Sequence, residues 1–230
     1  MIKQTPGIIY LNQDRIHHEN AAFRALKSLE AASDRIPPHW QSILVFEENT
    51  LAAQSERAWY VAEDSEYYWI PLVGTIEITD ANANVHYLEP GSMFKQEVKK
   101  GASLCVFNPY EDDSLAQYLQ VVVAIEEIET NAIPQTVNVA INDRMDELVK
   151  LTSEQAALQV SIGKFSGRSE ALVPISSSSK GVFCFVIQGA FEVQYRLLEK
   201  GDGLALWNLE ELDLEALSEN AIILLLEVKK

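Results

Sequence analysis

Basic residues are scarce in this chain. Lys and Arg total 18 against 34 Asp and Glu, a formal net charge of −16 over 230 residues. A surface this acidic repels a phosphate backbone or an anionic membrane unless its few cations gather on one face. The densest groupings are the pairs Lys99-Lys100 and Lys229-Lys230, so nucleic acid and membrane are excluded as expected partners. Cysteine is nearly absent. Cys105 and Cys184 lie 79 residues apart with no CxxC and no neighbouring histidine, which argues against a zinc site and against a disulfide framework. Each sits in an apolar segment and reads as a buried thiol. Long apolar runs are missing too: the longest, 221–226, is stopped by Glu227, far short of the roughly 20 residues a membrane helix needs. The first residues lack the basic end, apolar stretch and cleavage site of a secretory signal, so a soluble, cytoplasmic protein is expected.

Short apolar or β-branched runs recur between turn signals, and few segments keep helical periodicity over three turns. Strands are expected at 7–11, 23–29, 43–48, 58–61, 67–73, 75–79, 85–88, 103–108 and 117–125. After Pro134 they continue at 137–141, 147–151, 157–165, 170–173, 182–188, 190–197, 203–208, 212–216 and 221–228. Many short strands at such spacing suit sandwiches and barrels.

An internal repeat organises this series. In residues 72–94 and again in 186–206, an apolar strand ends at a glycine (Gly74, Gly189). A glutamate follows three residues on (Glu77, Glu192), and Leu-Glu-x-Gly (88–91, 198–201) opens the next strand. The leading glycines are 115 residues apart, half the chain. The sequence therefore divides into a first β-domain over 1–125, an acidic, proline-ended linker over 126–134 and a second β-domain over 135–230.

The order of glycine, hairpin and Leu-x-Pro-Gly is that of a small antiparallel jelly roll, and at this level the chain resembles the pirin family of bicupins, in particular its short bacterial branch. The stretches 44–51 (LVFEENTL), 70–78 (IPLVGTIEI), 108–112 (NPYED), 185–208 (FVIQGAFEVQYRLLEKGDGLALWN) and 215–227 (EALSENAIILLLE) carry the likeness. It implies an all-β fold of two tandem cupin barrels. Pirins that hold a metal use an HxH pair before the first hairpin glycine and a His and Glu after the Pro-Gly turn. The matching stretches here read Tyr60-Val61-Ala62-Glu63 and Ala102-Ser103-Leu104-Cys105-Val106, with no imidazole in either, and no histidine occurs after His86. On these grounds no metal and no cofactor is expected.

The four histidines suggest no site of their own. His17 and His18 are adjacent and point to opposite faces of a strand, His39 follows two prolines, and His86 alternates with Val85 and Tyr87. No GxSxG elbow, Cys-His pair or phosphate loop is present; the string 163–169 (GKFSGRS) lacks the GK[ST] ending. The acids Glu63, Asp64 and Glu66 read as a solvated loop. What remains is a candidate ligand pocket in the first barrel formed by Trp59, Glu63, Tyr67, Trp69, Phe94, Gln96 and Cys105, although aromatic rings with a few polar groups describe a core as well as a pocket. Three functions stay open on the residues: a metal-free binding module for a small organic ligand, a protein-interaction module, and a quercetin 2,3-dioxygenase-like enzyme with unusual ligands such as Glu63, His86 or Cys105. No oligomeric state can be read from the sequence.

Overall fold

The computed structural model describes residues 5–31, 36–37, 40, 42–128, 133–139, 141–153, 156, 158–176 and 179–229. Apart from one 3-10 turn at Asn12–Asp14, the regular structure among them is strand. The first half holds β1 (Gly7–Tyr10), β2 (Ile16–Glu19), β3 (Phe23–Glu30), β4 (Ile43–Leu51), β5 (Glu56–Tyr60), β6 (Ser65–Val73), β7 (Ile76–Thr79), β8 (Val85–Leu88), β9 (Ser92–Val98), β10 (Ser103–Phe107) and β11 (Ala116–Ala124). The second holds β12 (Gln135–Asn138), β13 (Glu147–Lys150), β14 (Leu158–Phe165), β15 (Glu170–Pro174), β16 (Ser179–Gln188), β17 (Ala190–Val193), β18 (Arg196–Glu199), β19 (Gly203–Leu206), β20 (Glu211–Ala216) and β21 (Ala221–Lys229).

These strands build two compact units. The N-terminal barrel pairs a larger sheet, β12-β9-β6-β11-β4-β3-β2, with a smaller one, β5-β10-β7-β8. The C-terminal barrel has the sheets β1-β19-β16-β21-β14-β13 and β15-β20-β17-β18. Adding ten to each strand number from β3 to β11 converts the first order into the second, so the repeat seen in the sequence is a repeat of the whole pairing scheme. The edge position beside β9 is taken by β12, and the matching position beside β19 is taken by β1.

This exchange of edge strands corrects the expected boundaries of 1–125 and 135–230. Residues 7–10 pair with β19 of the C-terminal barrel, and 135–138 pair with β9 of the N-terminal one. Side chains secure the start of the chain: Asp202 accepts from the Asn12 amide at 2.8 Å and from the Glu199 amide at 2.9 Å, and Arg196 donates to the Thr5 carbonyl at 2.5 Å. Two strands had no clear sequence signal. β2 is an exposed edge strand of sequence IHHE, and β9 (SMFKQEV) interrupts its apolar face with Gln96. The expected single strand over 190–197 is a hairpin, because Gln194 and Tyr195 both adopt positive φ, 47° and 61°. Such turns usually carry Asn-Gly; here the Gln194 amide and side chain bond the Asp213 and Glu211 carbonyls instead.

Period-2 alternation explains which faces are buried. In the C-terminal barrel Val182, Cys184 and Val186 of β16 and Ala221, Ile223 and Leu225 of β21 enter one apolar core with Phe165, Phe191 and Leu204. The repeat glycines mark the corner before each hairpin. Gly74 and Gly189 have φ of +70° and +77°, and the next amide donates to a side-chain hydroxyl: Thr75 to Tyr110 at 2.9 Å, Ala190 to Ser218 at 3.0 Å. A Cβ at Gly189 would lie 2.2 Å from Ser218 Oγ. The NPYED segment locks the same corner in the first barrel, where Asn108 Nδ2 bonds the Leu51 and Ser114 carbonyls and Tyr110 supplies the accepting hydroxyl. Gly189→Ala is expected to destabilise the fold by about 1–3 kcal/mol through left-handed strain plus this clash. Chemical denaturation followed by far-UV circular dichroism checks it, and an unchanged midpoint contradicts the assignment.

Candidate functional site

The interior of the N-terminal barrel is unlike that of its repeat. Register places Glu47, Gln120, Trp69 and Phe94 in one row across β4, β11, β6 and β9, with Asn49 and Tyr118 on one side and Val45, Val122, Tyr67 and Gln96 on the other. β5 contributes Arg57 and Trp59 from the opposing sheet, across from Val106 and Leu104 on β10. A buried carboxylate without a partner costs several kcal/mol. Arg57 removes that cost: Nη1 lies 2.5 Å from Glu47 Oε1 and also bonds Asn49, whose side chain donates to Glu47 at 3.3 Å. The guanidinium sits over Phe23 at 5.2 Å and Trp59 at 6.0 Å from the ring centroids, favourable cation–π positions.

Aromatic rings surround this pair. Tyr67 stacks on Trp69 with centroids 5.3 Å apart, Trp59 lies 6.1 Å from Tyr67, and Phe94 lies 5.7 Å from Trp69 and 4.5 Å from the His86 ring. Trp59 donates to Tyr67 at 3.3 Å and Trp69 to Gln120 at 3.0 Å. Burial raises the Tyr67 pKa despite the Trp59 hydrogen bond that favours its ionised form, and the negative charges of Glu47 and Glu63 push the same way. Burial likewise raises that of Tyr118, with Arg57 opposing. One buried polar atom here has no partner, Gln96 Oε1. At the hairpin end, Asp80 is buried and meets His86 Nε2 at 2.9 Å. Burial alone would raise the Asp80 pKa, but hydrogen bonds from His86, Asn84 and Asn82 outweigh it and hold the carboxyl below its usual value.

Five of the seven residues expected to form the pocket thus converge: Trp59, Tyr67, Trp69, Phe94 and Gln96. Two do not. Glu63 is exposed in the bend before β6, where the chain continues the ladder only as far as Val61 against Ala102. Cys105 lies on the outer face of β10, since Leu104 and Val106 take the inward positions; its thiol is 3.6 Å from Glu56. Glu66, grouped with the solvated acids from the sequence, is buried and paired with Lys95 at 2.5 Å. His17 and His18 are exposed on β2, and His39 falls outside the described residues. Glu47, Asn49, Arg57, Tyr118 and Gln120 were missed. Parity could have found Arg57, which must share the inward face once Trp59 is placed there.

A metal fits these residues poorly. In the stretches matched to the family's ligands, Tyr60, Ala62 and Glu63 are exposed and Val61 is a buried aliphatic, while the inward pairs of β5 and β10 are Arg57 and Trp59 against Val106 and Leu104, a cation, an indole and two aliphatics. The unusual ligands considered from the sequence do not meet: Glu63 is in its loop, Cys105 is on the outer face and His86 is engaged by Asp80. No group of three or more His, Cys, Asp or Glu placed to hold a metal exists among the described residues. Arg57 places a positive charge inside the barrel, paired with Glu47.

Comparison with known proteins now places the fold. Residues 145–228 match the family model described as the quercetinase C-terminal cupin domain. YhhW from Escherichia coli superposes with a TM-score of 0.80 at 15% identity, covering 97% of each chain. The bacterial pirin YhhW in complex with nickel(II) gives 0.77 at 15% identity, covering 97% of this chain and 99% of that one. Quercetin 2,3-dioxygenase from Acinetobacter baumannii gives 0.77 at 14% identity, covering 100% of this chain and 88% of that one. No curated protein matches the sequence. The protein is a bicupin. Its second half is similar to the quercetinase C-terminal cupin domain over residues 145–228, and its whole length has the fold of the bacterial pirin structures.

Cys105 supplies a direct check on the outer face. Burial, the Glu56 charge and the Glu56 hydrogen bond raise its pKa to about 11, so the reactive thiolate is rare at neutral pH. Alkylation by iodoacetamide is expected to be slow at pH 7, to accelerate up to about pH 11 and to quicken at pH 7 in Glu56→Gln. Rapid labelling of the native protein at pH 7 contradicts this placement.

Proposed function

We propose that this protein is a small-molecule-binding bicupin whose N-terminal barrel works without a metal. The observation that carries the reading is the Arg57–Glu47 pair, 2.5 Å apart and surrounded by rings. Arg57 takes an inward position of β5 with a cation, which cannot donate to a metal, and it engages the Glu47 carboxylate. A guanidinium held by a carboxylate cannot accept electron pairs from a substrate and cannot cycle between oxidation states. It can orient a planar ligand electrostatically.

The ligand class follows from what lines the site. Trp59, Tyr67, Trp69 and Phe94 favour an aromatic body by stacking, and the unpaired Gln96 Oε1 favours a hydroxyl or amine donor on it. A hydroxylated planar aromatic meets both requirements. The name of the Acinetobacter relative, quercetin 2,3-dioxygenase, makes quercetin the natural probe.

The test combines metal analysis with binding. After loading with iron, nickel, copper, manganese or zinc and desalting, the protein is expected to retain far less than one ion per chain. By isothermal titration it is expected to bind quercetin saturably without consuming oxygen, and at least tenfold more weakly in Gln96→Leu. One tightly held ion per chain together with oxygen uptake on quercetin overturns the proposal in favour of a dioxygenase.

A further inference from the structure

The register that makes the two barrels repeats also allows them to be compared residue by residue. Counting from the hairpin glycines and following the ladders, the positions of Glu47, Trp59, Tyr67, Trp69 and Gln120 in the first barrel are those of Ser161, Val173, Val182, Cys184 and Leu225 in the second. Every one of these exchanges except the last trades a large or charged side chain for a small one. The end of the barrel that rings and an ion pair line in the first repeat is lined by smaller side chains in the second. A cavity of about 470 Å³ occupies it, within the roughly 300–1,000 Å³ of small-molecule sites.

We propose that this cavity in the C-terminal barrel is a second binding site, taking a small neutral hydroxylated organic molecule with one apolar face. Five apolar side chains, Val173, Pro174, Ile175, Val182 and Leu225, contribute to its wall. They include core residues of the barrel, so a ligand that leaves water there gains by burying an apolar face. The polar lining is Lys150, Gln159, Ser161, Ser176 and Glu227. One charge of each sign gives no net preference for an anion or a cation, while hydroxyl, amide and carboxylate groups together offer both donors and acceptors. The rim is also organised. Lys150 and Ser161 lie side by side in register, as do Gln159 and Glu227. Glu227 accepts from the Ser176 amide at 3.2 Å, and Gln159 donates to the Ser153 carbonyl at 2.7 Å.

Catechol, benzoate and benzylamine, which share a ring and differ in charge, test the proposal on the full chain. Methyl NMR shifts of Val173, Val182 and Leu225 report this cavity alone. Catechol is expected to shift these methyls saturably and more strongly than benzoate or benzylamine. Val173→Trp, which restores the ring present at Trp59, is expected to weaken catechol binding at least tenfold. Lys150→Met, an exposed change at the rim, is expected to weaken it several-fold with the fold intact. A preference for either charged probe, an absence of methyl shifts at millimolar catechol, or binding unaffected in both variants overturns the proposal. Quercetin binding in the first barrel is read separately by titration, so failure of one site leaves the other testable.

Discussion

The ion pair between Arg57 and Glu47 sets the terms for the N-terminal barrel. A carboxylate on the inward face of β4 is exposed to almost no solvent, and Arg57, with Asn49, supplies the charge and the hydrogen bonds that offset its burial. The guanidinium does so while lying between Phe23 and Trp59. That fixes the ring of Trp59, whose indole N–H reaches Tyr67, which stacks on Trp69, which bonds Gln120 beside Glu47. The charges therefore organise a closed circuit of side chains rather than a local contact.

One pairing scheme supports two interiors. Apart from β2, an extra edge strand of the first barrel, the strand orders agree position by position, including the edge strand each barrel receives from a distant part of the chain. What differs is side-chain chemistry on the shared inner face. The first barrel lines its interior with rings and a buried charge pair, and the second with aliphatic packing that stops short of one end. Because inward and outward positions alternate along the strands between their bulges, such an exchange leaves the outer face and the ladders untouched.

Much of this was legible in the sequence. The glycines 115 residues apart announced the duplication, and the structure shows why: both sit at positive φ, where a side chain would collide with the hydroxyl-bearing residue that bonds the next amide. Trp59, Tyr67 and Trp69 followed from the strand assignments over 58–61 and 67–73, whereas Phe94 lies on β9, which had no strand signal. Glu47 and Arg57 did not, because acidic and basic residues in short strands read by default as solvent-facing, and only parity with Trp59 shows otherwise. Cys105 and Glu63 failed for the complementary reason. Their closeness in sequence to inward residues said nothing of which face they take, and one step along β10 or past the end of β5 moves a side chain out of the barrel. The exchange of β1 and β12 was invisible because edge pairing depends on where a distant segment lands.

The central claim is that Arg57 and Glu47 act as a unit inside the first barrel, and a double-mutant cycle on stability measures it directly. The account predicts that Arg57→Met and Glu47→Leu each cost about 3 kcal/mol by leaving the other charge buried and unpaired. The double variant should then lose clearly less than the sum, with a coupling energy of roughly 1–3 kcal/mol. Effects that add to within about 0.5 kcal/mol would mean that the two charges are solvated independently, and the barrel would have no internal ion pair for its rings to depend on.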